Sequence, residues 1–275
     1  MEVHHHASHH GPKKWKEYIT EFLMLFAAVT LGFLAENLRE EQIIAHQTES
    51  VIGQLRLELM QDTAQLTITK NARAKSDSAV AFISYFIKTN QLEKNKETFY
   101  LLHNYVCYRS GMFESGCIAL EQLKYTGLLK NIKNESLRRA IELYNISLKN
   151  IENRMLRENN FMDKYIDELK TVPFDINKNF GANLDYLSTE KGRTVSEVDL
   201  FCNNSFIHVR LLPTFIPDQL QLKPFNRQEY LNTLFKLNGI RNSTQDRQSD
   251  LAFARAVDLI KNIEAEYPNT LKSQH

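Results

Sequence analysis

The chain has 275 residues and Lys+Arg 34 against Asp+Glu 33, a net charge of +1, so no excess positive field recommends nucleic acid as a partner. Gly 9 and Pro 6 are few for this length, and long stretches free of both favour an all-α chain over a turn-rich β sandwich. The three cysteines, Cys107, Cys117 and Cys202, have no CxxC spacing, which argues against a zinc or redox site built on thiols.

Residues 1–17 form a His/Lys-rich tail. His4, His5, His6, His9 and His10 are its metal-capable constellation, since clustered imidazoles bind Zn, Ni or Cu. A solvated tail with nothing to fix the ligand geometry is the preferred reading. Residues 18–35 then read as a transmembrane helix, with Glu21 as the one charged side chain. At about 1.5 Å per residue the segment spans roughly 27 Å, just enough for a hydrocarbon core of about 30 Å. Nine Leu, Ile, Phe or Val side chains, at about −0.3 to −0.6 kcal/mol each, outweigh one off-centre carboxylate costing at most about 3 kcal/mol. A cleaved signal peptide, with Thr30 and Gly32 near the cleavage point, is the second reading. Lys13, Lys14 and Lys16 precede the segment, whereas Arg39 follows amid Glu36, Glu40 and Glu41. The positive-inside rule therefore places the tail in the cytoplasm and residues 36–275 outside, in a bacterium the periplasm.

The anchor is expected to continue into a helix over 36–74, striped by Ile44, Val51, Ile52, Leu55, Leu59 and Leu66. Two shorter helices follow, one carrying Ala79, Val80, Ile83, Phe86 and Ile87, the other Phe99, Leu102 and Val106, joined by a polar turn over 90–96. Ser115 is placed to cap a short helix that Gly127 ends. Asn134 caps the most regular element, in which Leu137, Ile141, Tyr144, Leu148, Ile151, Met155, Met162, Tyr165 and Leu169 follow a 4-3 alternation broken at Glu158. It would run roughly 55 Å before Pro173 stops it, packed as a helical hairpin or a coiled coil.

Residues 173–197 read as a long connection, 198–212 as a possible helix, and 213–225, with Pro213, Pro217 and Pro224, as an extended crossover. Asn226 with Glu229 is a capping-box signature opening the first of a last helical pair. The second presents Ala252, Ala256, Leu259, Ile260 and Ile263 before Pro268. The architecture expected is thus an N-terminal transmembrane helix followed by an elongated antiparallel helical bundle.

Several smaller features carry alternatives. Cys107 and Cys117 flank a Gly/Ser-containing turn and could form a disulfide in an oxidising compartment, although an odd cysteine count also fits buried thiols. Phe206, Leu211, Phe215 and Ile216 would make a partner-docking edge if exposed together. His46, His103 and His208 sit on different elements as surface or core histidines, and Asp163, Asp167 and Glu168 face outward from the long seam. No phosphate loop, HExxH or GxSxG is present, and no cofactor is implied.

The opening Met1-Glu2-Val3-His4-His5-His6, the Lys13-Lys14-Trp15 stub and its apolar segment resemble a group of uncharacterised single-pass envelope proteins of Gram-negative bacteria. Glu121, Leu123, Gly127, Leu129, Ile132, Asn134, Leu137 and Arg138 are similar to that group's mid-domain signature, and the helix ending near Leu59, Asp62 and Thr63 extends the likeness. The resemblance implies a membrane-tethered helical domain. It carries no activity and no site residue.

The functional expectation is a non-enzymatic scaffold or interaction module, anchored in the bacterial inner membrane and self-associating or docking another envelope protein. A ligand-sensing module that signals through a separate partner is the alternative, and metal handling through the N-terminal histidines is a third.

Overall fold

The computed structural model describes residues 15–108, 113–174, 192–202, 205–218 and 220–268. Among these residues the fold is all-α apart from one hairpin and a single bridge between Phe174 and Leu222: α1 Trp15–Lys88, α2 Lys96–Tyr108, α3 Ile118–Tyr125, a 3-10 turn Leu128–Asn131, α4 Glu135–Thr171, β1 Gly192–Cys202, β2 Ser205–Pro217, α5 Arg227–Thr244, a π turn Gln245–Ser249 and α6 Asp250–Glu266.

The helix α1 is a single rod of 74 residues, about 110 Å long. Its apolar stretch, residues 18–35, is long and apolar enough to cross a membrane, and none of it is buried in the protein. Beyond it the helix turns one stripe into the core. The buried positions Thr48, Ile52, Leu55, Leu59, Asp62, Leu66, Thr69, Arg73, Ser76, Val80, Ile83 and Ile87 alternate by four and three without a break. The two helices expected over 36–87 are therefore one. Polar Thr69, Arg73 and Ser76 interrupt the apolar pattern but not the backbone, because no Gly or Pro stands near them.

The 4-3 seam of α4 faces inward as its spacing predicts, and the helix ends two residues before Pro173. Its partners lie in the same chain. Tyr144 meets Asp62 and Glu158 meets Arg73, so α4 runs parallel to α1. The rod of α5, the π turn and α6 returns antiparallel to α1: Arg227 meets Asn90, Asn238 meets Asp77, Lys70 meets Asp250 and Arg56 meets Glu264. Asn226 caps α5 by accepting from the Glu229 N–H at 3.1 Å. The last helical pair is thus nearly one helix. Its buried positions Leu234, Leu237, Arg241, Thr244, Ser249, Ala252, Ala256, Leu259 and Ile263 alternate by three and four except for a five-residue step across the π turn. That turn absorbs one extra residue, which keeps both halves facing the core.

Three long helices thus form an elongated bundle with α2 and α3 filled in along its side. One core packs Val51, Leu55 and Leu59 with α3, α4 and α6. A second packs Ile83 and Phe86 with α2, α5, Leu169 and Ile216, and a small third joins Leu66, Phe113, Ile151 and Ala252. Between α3 and α4 the chain turns at Gly127, whose φ of 74 is a left-handed value that favours glycine.

The segment expected as a helix over 198–212 is instead part of the antiparallel hairpin β1–β2, and residues 192–197 of the expected connection belong to β1. β-branched and aromatic residues recur in both strands, Thr194, Val195, Val198 and Phe201 in β1 and Phe206, Ile207, Val209, Thr214, Phe215 and Ile216 in β2, and Asn203-Asn204 between Cys202 and Ser205 is a residue type suited to tight loops. The ladder slips between Val195 and Glu197, where residues 211–213 bulge opposite Ser196 and Pro213 has no N–H to give. Of the proline-rich crossover, Pro213 and Pro217 lie in β2 and Pro224 lies beyond it.

Candidate functional site

Where the seams of α1, α4 and α5 meet they carry charge instead of hydrocarbon. Arg73, Glu158 and Arg241 are all buried there. Glu158, the one break in the α4 seam, accepts from Arg73 Nη2 at 3.1 Å and from Arg241 Nε at 3.3 Å. Arg73 Nη1 also donates to the Arg241 carbonyl at 2.7 Å, and Arg241 Nη1 to the Val106 carbonyl at 2.9 Å. Burial pushes both guanidiniums below the ordinary arginine range, and the Glu158 carboxylate opposes that shift in each. Asp77, one turn along α1, brings a second carboxylate and accepts from Asn238 and Asn242 of α5.

Two guanidiniums and two carboxylates balance, so this layer holds three helices in register without a net interior charge. Among the described residues, the buried side-chain atoms that lack a partner are Arg73 Nε, Asn238 Oδ1 and Gln245 Oε1, all at this layer or its flank. The polar stretches 69–76 of α1 and 241–250 of the α5–α6 rod, which read as helix breaks, are in fact opposite one another.

Two further polar sets lie in the cores. Asp62 accepts from Tyr144 at 2.5 Å and from Ser115 at 2.6 Å, and burial followed by the Asp62 charge pushes the Tyr144 hydroxyl up. Ser115 is therefore not the cap of α3. Glu58 of α1 takes that role by accepting from the Ala119 N–H at 3.0 Å, and burial pushes its carboxyl up. In the other core His103 Nδ1 lies 2.8 Å from the Tyr230 hydroxyl and 3.7 Å from Cys107 Sγ. Burial pushes Tyr230 up as well. This Cys–His–Tyr cluster is sealed, so no substrate reaches the thiol.

The residues singled out from sequence are dispersed. His4, His5, His6, His9 and His10 lie outside the described residues, as does Cys202's side chain; among the described ones no group of three His, Cys, Asp or Glu could hold a metal. Cys107 and Cys117 are thiols rather than a disulfide, Cys107 packed against His103 and Cys117 at the start of α3 beside the other core. The docking edge is divided: Phe206 is exposed, Phe215 is half-buried, Ile216 is buried against the bundle, and the side chain of Leu211 lies outside the described residues. The geometric reason is that, among the described side chains of β2, those at 206, 208 and 210 are exposed and Ile216 near its end meets the core. His46 is exposed, and exposed His208 pairs with Asp199 across the hairpin at 2.6 Å. Asp163 is exposed, whereas the side chains of Asp167 and Glu168 are outside the described set.

The polar layer was missed from sequence because its members are 85 and 83 residues apart in pairs. The available signal was a shared one: polar residues at seam positions in α1, α4 and α5. No family model, curated protein or solved structure matches the chain.

Proposed function

We propose that the chain is a non-enzymatic, single-pass membrane protein whose helical bundle serves as an interaction or scaffold module of the bacterial envelope. The observation that carries this reading is the continuity of α1, which is both the apolar exposed segment and the central helix of the bundle. The lysines before that segment and the glutamates after it support an N-terminus in the cytoplasm and a bundle in the periplasm of an inner-membrane protein. The α4 seam is filled from within the chain, so it is not the surface offered to a second copy. The outer side of α1 is, where Leu57, Met60 and Ile68 are exposed at helical spacing.

The test is cysteine cross-linking in native membranes after Cys107, Cys117 and Cys202 are replaced by Ser. Leu57→Cys and Ile68→Cys should each trap a covalent dimer, and light scattering of the full-length protein in detergent should give an oligomer. Monomers in both measurements would overturn the self-association reading. A ligand-sensing module is the second reading, favoured by an open basic groove between α4 and α5.

A further inference from the structure

Most interhelical cations in this bundle have a carboxylate. Arg56 pairs with Glu264, Lys70 with Asp250, and Arg73 and Arg241 share Glu158. Arg255 and Arg227 use neutral acceptors instead, the Leu143 carbonyl with the Ser147 hydroxyl and the Asn90 side chain, and a further set of cations has no acceptor at all among the described residues. Arg154 and Arg157 of α4 and Lys236, Gly239, Ile240 and Ser243 of α5 line a cavity of about 340 Å³ with no acidic residue in its wall. Among the described residues neither arginine has an ion pair or hydrogen bond, and Glu158, adjacent to Arg157, is turned inward to its own two guanidiniums.

The cavity is an open groove in which Arg157, Lys236 and Gly239 are exposed and Arg154 is half-buried, and three details add to its charge and shape. The Lys236 ammonium lies over the rings of Phe161 and Tyr165, 5.5 and 5.4 Å from their centroids, which holds it beside the arginines. Ser243 is half-buried at the wall and its hydroxyl has no hydrogen-bond partner among the described residues, whereas the neighbouring Thr244 hydroxyl donates to the Ile240 carbonyl. Gly239 stands inside α5, where glycine costs helix stability relative to alanine, yet a Cβ built there meets nothing within 4 Å. Packing does not require that glycine. Its consequence is that the exposed α5 side of the groove stays open.

We propose that this groove binds a soluble, multiply charged, phosphate-bearing small molecule. Arginine forks match the paired oxygens of a phosphate, Lys236 adds a point charge, and the volume suits a small molecule rather than a protein segment. A lipid headgroup is the wrong source. Glu158 contacts Arg73, which is 38 residues along α1 from Ala35 at the end of the apolar stretch, or about 57 Å. The assignment is independent of the scaffold reading, since a scaffold can bind such a ligand or lack one.

The test uses the full-length protein in a neutral detergent, with sodium pyrophosphate as the probe, titrated calorimetrically against sodium chloride at matched ionic strength. One saturable site is expected for pyrophosphate and none for chloride. Arg154→Ala/Arg157→Ala should weaken it at least about tenfold, as should Gly239→Leu, which puts a bulky side chain on the α5 side of the groove while favouring the helix. Lys130→Ala, an exposed cation elsewhere, should leave it unchanged. Affinity should be equal in phosphatidylcholine and phosphatidylglycerol nanodiscs. The proposal is overturned by the absence of saturable binding, by equal responses to both salts, by retained affinity in Gly239→Leu, or by competition from phosphatidylglycerol.

Discussion

At the scale of single residues, charge is buried only where it is answered. Replacing Glu158 by Ala leaves two buried guanidiniums without their shared carboxylate and should cost about 3–5 kcal/mol. Urea unfolding of the full-length protein checks this, and a loss under about 1 kcal/mol would show that Asp77 or water suffices. Replacing Arg73, Glu158 and Arg241 together by Met, Leu and Met should cost far less than that, because the desolvation penalty leaves with the charges. Glu58 gives a pH dependence of unusual sign for an acid. Its folded pKa lies above 4.5, so the folded state binds the proton more tightly than the unfolded one. Its contribution is fully present below 4.5 and is lost as pH rises through the folded value. The stability of wild type relative to Glu58→Gln should therefore fall on going from about pH 4 to neutrality; a difference that is flat or rises would contradict the assignment.

At the scale of elements, helical register does the selecting. The π turn holds one residue more than an α-helix needs, and the seam positions on both sides of it keep their faces. Deleting exposed Asp246 should convert the turn to α-helix and leave far-UV circular dichroism and the unfolding midpoint close to wild type. Deleting exposed Ala254 should rotate Ala256, Leu259 and Ile263 by about 100° away from the core and abolish cooperative unfolding. Similar behaviour of the two deletions would show that register is not what seats α6. The hairpin teaches a related lesson. Alternation, β-branched residues and the Asn203-Asn204 pair were visible in 192–217, but an apolar run with scattered polar residues also fits a helix, and pairing across the hairpin decided between them.

At the scale of the whole molecule, α1 transmits position from the apolar segment to the bundle. Spin labels at Glu41→Cys and Lys75→Cys, on a background free of native cysteine, should lie about 51 Å apart by pulsed electron resonance if the helix is unbroken. A markedly shorter or bimodal distance would mean a hinge between the apolar segment and the bundle. Gln42→Pro should produce such a hinge and serves as the reference for it.

The amino-acid sequence by itself determined the local features of this protein. The apolar segment, the 4-3 seam of α4, its stop before Pro173, the Asn226 cap and the turn at Gly127 all depend on a residue and its near neighbours. What only the tertiary structure decided are the joins that polar residues disguised. Thr69, Arg73 and Ser76 on α1, Glu158 on α4 and Arg241, Thr244 and Gln245 on the α5–α6 rod each look like a break in an apolar stripe. Arg73, Ser76, Glu158 and Arg241 become core because they meet one another, and Thr244 and Gln245 find partners within their own rod. Hydrophobic periodicity is a property of one helix, whereas the satisfaction of a buried charge is a property of at least two. The arginines of the α4–α5 groove stand apart from that rule, because neither meets a carboxylate among the described residues while Glu158 beside them turns inward.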